Sequence, residues 1–241
     1  MNLRKFINRR LKGTKYYINK VNPALSKEWE CKITINNFLA KILIDNADFF
    51  FVQIGANDGI RADDTYDLIT QHQLKGVVLE PLVDMFEHLC QNYSKHDQIQ
   101  KINKAIHASE KRMTLYRIKA DAKVPDWCHG IASFDKNNLL NHKAKSVPNI
   151  EQYIIEEQIE CISLDELFEE EKISSVSFLQ LDTEGYDFEI IKMIDFNKIK
   201  PQIIRYESNL LPKIDNKLCI ELLHQNGYTF FDEGNDIIAI Q

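Results

Sequence analysis

Read for its apolar positions, the chain changes rhythm near residue 48. Before that point the spacing is helical. Leu3, Ile7 and Leu11 recur every four residues on one face of a first segment, which Gly13 and Pro23 limit. Ser26 is placed to cap a helix from about Lys27 to Ile44, with Trp29, Ile33, Leu39 and Leu43 available for one face. From Asp48 onward, short continuous apolar runs alternate with amphipathic stretches. That is the pattern of an α/β domain whose parallel strands are buried on both faces.

The pattern predicts a first strand at 49–54 (Phe-Phe-Phe-Val-Gln-Ile), a glycine-bracketed loop at 55–59, and a helix over 63–73. A second strand follows at 76–80 (Gly-Val-Val-Leu-Glu), stopped by Pro81, and then a helix over 82–92. A third strand is expected at 99–106, and 113–118 alternates like an edge or hairpin strand. Residues 120–150 are polar and irregular, which for a connection of that length points to function or mobility. Beyond them come a helix at 164–170, strands at 176–181 and 202–206 separated by a helix at 184–194, and a helix at 217–225. The last strands, 228–231 and 236–240, are joined by a turn containing Gly234-Asn235, a closing hairpin. The domains expected are a basic arm (1–25), a helix (26–48) and an α/β domain (49–241).

Composition excludes several classes. The 241 residues are 44% hydrophobic and 27% charged, ordinary values for a globular chain. No apolar run approaches the roughly 20 residues of a membrane span. After Arg10 the chain reads Leu-Lys-Gly-Thr-Lys, not the apolar core of a secretory signal. The five cysteines are scattered without a CxxC spacing, as expected for reduced thiols in a cytoplasmic protein. The net charge of -6 hides an asymmetry: the first twenty residues carry seven basic side chains and no acid, while the remainder carries 23 basic and 36 acidic ones. An acidic body disfavours nucleic acid as its general partner. The basic arm suits contact with another subunit, or, as an amphipathic helix, with an anionic membrane surface that would make the protein peripheral to it, or, least favoured, with the phosphate backbone of a nucleic-acid substrate.

In open α/β sheets ligands sit beyond the carboxyl ends of the strands. The loop Gly55-Ala-Asn-Asp-Gly59 is at the first such end, and Glu80 closes the second strand 21 residues after Gly59. A carboxylate there accepts hydrogen bonds from ribose hydroxyls, so loop and acid together suggest an adenosine site. Charge discriminates the cofactor. A dinucleotide fingerprint would need glycine where Asn57 and Ile60 stand, and its pyrophosphate would meet Asp58, Asp63 and Asp64. S-adenosylmethionine carries no phosphate but a sulfonium and an ammonium, which an acid-rich loop favours. Asp64 is placed either for that ammonium or to cap the following helix.

Four segments together, Phe-Val-Gln-Ile-Gly-Ala-Asn-Asp-Gly (51–59), Val-Leu-Glu-Pro (78–81), Leu-Asp-Thr-Glu-Gly-Tyr-Asp (181–187) and Ile-Arg-Tyr-Glu (204–207), resemble the FkbM family of S-adenosylmethionine-dependent methyltransferases. The likeness covers roughly residues 49–241. It implies a Rossmann-like class-I methyltransferase fold: a mostly parallel seven-stranded sheet with a C-terminal antiparallel hairpin, here preceded by N-terminal helices. It also implies methylation of a hydroxyl oxygen on a saccharide or other small-molecule secondary metabolite. By position, Gly55, Asn57, Gly59 and Glu80 would hold the cofactor together with Gln53, Ala56, Pro81 and Asp182. Ala105 would border adenine, and Asp182 and Glu184 would line the catalytic pocket.

Methyl transfer to oxygen needs alignment and a proton acceptor. Asp182 and Glu207 end successive strands and Glu184 is expected to open the helix between them, so their carboxylates face one cleft; Asp182 as a helix cap and Glu207 as a solvated strand end are the plainer alternatives. Gly185 would leave that helix start open to substrate. His129, in the long irregular segment, is by residue type a candidate general base, or is simply a surface histidine. Trp127 and Phe134 are suited to packing on an acceptor or anchoring the loop. Gathered carboxylates are also ligands for a divalent metal, although no spacing demands one. The competing classes are a non-catalytic adaptor with a vestigial cofactor site and, less favoured, an NAD-dependent oxidoreductase.

Overall fold

The computed structural model describes residues 34–46, 48–61, 63–141 and 146–241. The basic arm, Ser26, Trp29 and Ile33 lie outside the described residues. The rest of the expected first helix is α1 (Ile35–Asp45).

Seven strands form the main sheet: β1 (Phe50–Ile54), β2 (Lys75–Leu79), β3 (Ile99–Ile102), β8 (Phe178–Leu181), β9 (Ile203–Glu207), β10 (Thr229–Asp232) and β11 (Asp236–Ile240). Their order is β10-β11-β9-β8-β1-β2-β3. β11 runs antiparallel to β9 and β10, and the other pairs are parallel. The mostly parallel seven-stranded sheet with its closing antiparallel hairpin is as expected, and the hairpin inserts the last strand between β10 and β9.

Strand alternation divides the core into two layers. Val52, Ile54, Val77, Leu79, Leu179 and Leu181 face α5 (Leu164–Glu170), α6 (Asp187–Met193) and α7 (Lys213–Gln225), burying Leu167, Phe188, Ile190 and Leu223. Phe51, Val78, Phe178 and Ile203 face the opposite layer. There Ile35 and Leu39 of α1 pack with Ile69 of α2 (Tyr66–Gln71) and Leu89 of α3 (Val83–Asn92). At the carboxyl end of this second face Gln53, Gln180 and Arg205 stand side by side in register.

Several boundaries differ from expectation. The third strand is two: after β3 the chain leaves the main sheet at Asn103-Lys104, and β4 (Ala105–Ile106) joins a second sheet. That sheet, ordered β4-β7-β5-β6, contains β5 (Arg112–Ile118), β6 (Ala132–Ser133) and β7 (Ile154–Ile162). Sequence patterning missed β7; its signal is the alternation at Ile159 and Cys161, weakened by the run Glu156-Glu157-Gln158 that pairs with Thr114-Leu115-Tyr116 of β5. The segment 120–150 is not irregular throughout. It holds a 3₁₀ turn (Asp126–Gly130), β6 and α4 (Lys136–Asn141), anchored by a small core of Ile118, Cys128, Ile131, Leu139 and Ile150. The helix expected from Glu184 starts at Asp187, because Glu184 and Gly185 have positive φ.

The second sheet is tied to α3 by Arg117, which is 4% exposed. Its guanidinium donates to both oxygens of Asp84 (2.7 and 2.6 Å) and to Glu157 (3.1 Å). Forked geometry of this kind keeps a buried arginine's charge compensated. No helix of the described residues is long and apolar enough to cross a membrane, and the four described cysteines are free.

Candidate active site

A cleft of about 660 Å³ opens beyond the carboxyl ends of β1, β2, β8 and β9 and is roofed by the second sheet and the 120–150 segment. It gathers Gln53, Gly55, Ala56, Asn57, Asp64, Glu80, Pro81, Ala105, Asp182, Glu184 and Glu207. Gly59 and His129 are not among its lining residues.

Gly55 has φ +81°, and a Cβ there would lie 1.9 Å from the Asp182 carbonyl oxygen. Only glycine lets the first loop pass this close to the end of β8. Gly59, also at φ +81°, has a packing reason: its Cβ would fall 2.7 Å from the Tyr93 ring and 2.8 Å from Leu89. At Gly185 the space is filled by Asn138, whose amide donates to the Glu184 carbonyl (3.0 Å) alongside the Ser133 hydroxyl (2.8 Å); it is not left open to substrate. Asn57 and Arg61 make the corresponding contacts on the other side, donating to the carbonyls of Gly130 (3.3 Å) and Asp126 (2.9 Å). The roof is thus stapled to both strand-end loops.

Glu80 is buried at the end of β2, accepting from the backbone N–H groups of Asn57 (2.8 Å) and Leu82 (2.9 Å). Desolvation dominates these bonds and pushes its pKa up to about 7. Glu80 lines the cleft, and each of its carboxylate oxygens has capacity to accept a further hydrogen bond. Asp182 is exposed to the cleft at the end of β8, with protein packed densely around its base. Loss of bulk water and the nearby Asp187 and Asp236 carboxylates raise its pKa, against the pull of Arg205. Asp182 does not cap a helix. That region is organised by Asp187, fully buried, which accepts from the Thr183 hydroxyl (2.7 Å), the Thr183 N–H (3.3 Å) and the Glu207 N–H (3.2 Å). One carboxylate therefore holds the turn after β8 against the end of β9.

Asp64 is exposed and pairs with Arg205 (3.4 Å), while its neighbour Asp63 accepts from Thr65 ahead of α2. Arg205 also meets Glu233 (2.9 Å) and Asp236 (2.8 Å), so its charge is spent internally. His129 is half-buried, with Nδ1 enclosed and lacking a hydrogen-bond partner. On the roof side, Phe134 and Tyr186 meet edge to face at 4.9 Å, with His107 stacked on Tyr186 at 5.9 Å; Phe134, Tyr186 and the partly exposed Trp127 line the cleft. Gln180, Tyr186, Asp187, Arg205 and Asp236 are site residues that sequence reasoning missed. For Gln180 and Arg205 the available signal was a polar residue inside an otherwise apolar strand.

The sequence profile of the methyltransferase FkbM domain matches residues 53–230. The chain belongs to the FkbM methyltransferase family. That family is one of S-adenosylmethionine-dependent methyltransferases. Similar solved structures include methyltransferase FkbM from Methylobacillus flagellatus KT (12% identity, TM-score 0.46, 80% of this chain and 44% of that one). Others are precorrin-6y C5,15-methyltransferase from Geobacter metallireducens GS-15 (13%, 0.38, 90% and 92%) and human methyltransferase 10 domain containing protein (14%, 0.39, 99% and 96%). This FkbM-family chain thus spans under half the length of the Methylobacillus protein. No curated protein matches its sequence.

The cleft's chemistry fits the family's cofactor. Its acids, Asp63, Asp64, Glu80, Asp182, Glu184, Glu207 and Asp236, outnumber the cations Arg61, Lys104 and Arg205. Two buried amide carbonyls, on Gln53 and Gln180, have no donor. A cationic, donor-bearing ligand without phosphate suits such a surface. Among the described residues, no group of three or more His, Cys, Asp or Glu is arranged to hold a metal ion.

Proposed function

We propose that this chain transfers a methyl group from S-adenosylmethionine to a hydroxyl oxygen of a saccharide or a similar polyhydroxylated small molecule. The observation that carries this reading is one juxtaposition: the aromatic surface of Trp127, Phe134 and Tyr186 shares a cleft with the carboxylates of Asp182, Glu184 and Glu207. Aromatic faces pack on the C–H surface of a sugar ring, while carboxylates accept from its hydroxyls.

Glu80 would hold the ribose, with Ala105 and Pro81 supplying apolar surface for adenine. When bound, the cofactor supplies a sulfonium-activated methyl group. The chain's own task is to align the acceptor oxygen and take its proton. Alignment is worth up to about 7–11 kcal/mol of barrier. Asp182 is the proton acceptor, because it opens to the cleft and its raised pKa brings it toward the working range, where a base contributes about 10²–10⁴-fold. Asp182 would take the acceptor O–H proton, which balances the exchange of the cofactor's S–CH3 bond for an O–CH3 bond with neutral S-adenosylhomocysteine as the leaving group. Asp187 holds the Thr183 turn that follows Asp182 against Glu207.

The test is transfer of labelled methyl from S-adenosylmethionine into fractionated cell extract, with the product identified chemically. Label in a carbohydrate ether, lost in Asp182→Asn while S-adenosylhomocysteine binding persists, is the expected result. Label confined to protein or nucleic acid, or tight binding with no transfer to any fraction, would overturn it.

A further inference from the structure

On the reading of this cleft as a methyl-transfer site, we propose that Ser133 and Asn138 of the roof are positioning residues: they hold the turn Glu184-Gly185 in a left-handed backbone conformation and so present the Glu184 side chain to the acceptor.

Glu184 has φ +51° and Gly185 φ +98°. Glycine adopts this region freely and asparagine tolerates it, but a glutamate enters it at a cost. Among the described residues only two non-glycines with positive φ, Asn57 and Glu184, line the cleft, and both are tied to the roof. A helix begun at Glu184 would engage that residue's carbonyl with the N–H four residues on. Instead the carbonyl accepts from the Ser133 hydroxyl (2.8 Å) and the Asn138 amide (3.0 Å), and the same amide reaches the Ser133 oxygen (3.3 Å). The two donors come from β6 and α4, 51 and 46 residues earlier in the chain. Ser133 is 2% exposed, so its hydroxyl is committed to this bond rather than to water. A Cβ at Gly185 would lie 2.4 Å from Asn138 Nδ2, so glycine is what lets the amide approach.

The turn is gripped from beneath as well. Asp187 accepts from the Thr183 hydroxyl (2.7 Å) and N–H (3.3 Å), so these two residues fix the ends of the turn while the roof fixes its middle. Backbone preference by itself favours glycine at 184 as at 185. A glutamate there instead puts a carboxylate among the residues lining the cleft, and cost of this kind gathers at functional sites. Phe134 follows Ser133 directly and also lines the cleft, so one contact sets the aromatic surface and the carboxylate relative to each other.

A mutant cycle tests the role. The full chain is assayed for transfer of labelled methyl from S-adenosylmethionine into the carbohydrate fraction of cell extract, with S-adenosylhomocysteine binding followed by calorimetry. Glu184→Ala should slow transfer at limiting acceptor by about tenfold or more, the loss of a hydrogen bond to a charged group. Asn138→Ala should slow it about three- to tenfold and leave S-adenosylhomocysteine affinity within about twofold. Added to Glu184→Ala, the Asn138→Ala change should cost less than about twofold more, because the side chain it acts through is already gone. Glu184→Gly should melt about 2–4 °C above Glu184→Ala, since only glycine relieves the turn. Wild-type transfer by Asn138→Ala, losses that multiply in the double variant, or equal melting of the two Glu184 variants would each overturn the proposal. If Asn138→Ala does not fold, Ser133→Ala takes its place in the cycle. Wild-type protein that transfers no label to carbohydrate would instead overturn the proposed function, and this proposal with it.

Discussion

Lowering the pH from 8 to 6 should weaken S-adenosylhomocysteine binding about tenfold, and the group responsible is Glu80. Its carboxylate is removed from water and only partly repaid by the Asn57 and Leu82 amides, which places its pKa at about 7. Ribose hydroxyls donate to the ionised form, so binding favours loss of the proton and affinity falls as pH drops through 7. About ten in eleven molecules are ionised at pH 8 and about one in eleven at pH 6, a difference worth about 1.4 kcal/mol. Titration calorimetry at pH 6, 7 and 8, in buffers of differing ionisation enthalpy, reads both quantities. Proton release should approach one per ligand at pH 6 and vanish at pH 8. Glu80→Gln should flatten the profile and weaken binding at pH 8 by about 1.5–3 kcal/mol, because an amide N–H then confronts a donor. A pH-independent wild type, or an unchanged slope in Glu80→Gln, would refute the assignment.

In the ligand-free protein the same burial has the opposite sign. The folded pKa of Glu80 lies above its unfolded value of 4.5, so the folded state holds the extra proton and stability is lost as pH rises through the window from 4.5 to about 7. Thermal melts should therefore show a midpoint roughly 3–6 °C higher at pH 6 than at pH 8, and an equal or lower midpoint at pH 6 would contradict it. Gly55→Ala, with its Cβ driven onto the Asp182 carbonyl, should cost about 3 kcal/mol or more and abolish S-adenosylhomocysteine binding; denaturant titration and calorimetry check both effects. Asp187→Asn should lower the urea midpoint by the equivalent of about 2 kcal/mol, since a donor replaces one acceptor facing Thr183 or Glu207, and an unchanged midpoint would remove its organising role.

Much of the sheet was legible because parallel strands buried on both faces must be apolar along their whole length. Phe50–Ile54, Lys75–Leu79 and Phe178–Leu181 lie within one residue or two of the runs that patterning marks out. The closing hairpin announces itself through Gly234-Asn235. The second sheet was much less legible, since Ile154–Ile162 is half exposed and its acids mask the alternation. Only one of its strands, Arg112–Ile118, was foreseen as such. The split of the third strand was also hidden, because Asn103-Lys104 is too short a break to interrupt an apolar pattern.

The candidate site divides along the same line. Gly55, Asn57 and Glu80 were readable because a loop and an acid at strand ends are local features with fixed spacing. Glu184 was placed on a helix that begins three residues later. His129 was attractive by residue type alone, and the fold sets it outside the cleft lining.

By itself, then, the sequence determined an α/β domain of the class-I kind and the acid-rich character of the cleft at the ends of its first two strands, because both follow from short-range periodicity and charge. The tertiary structure decided which polar side chains meet. Gln53 and Gln180 are 127 residues apart in the chain and become neighbours only when β1 and β8 pair in register. Asp187 joins Thr183 to Glu207 only once two loops converge. The roof of the cleft exists only because a second sheet is pinned to α3 through Arg117. Contacts of this range depend on register and packing, which no local pattern encodes.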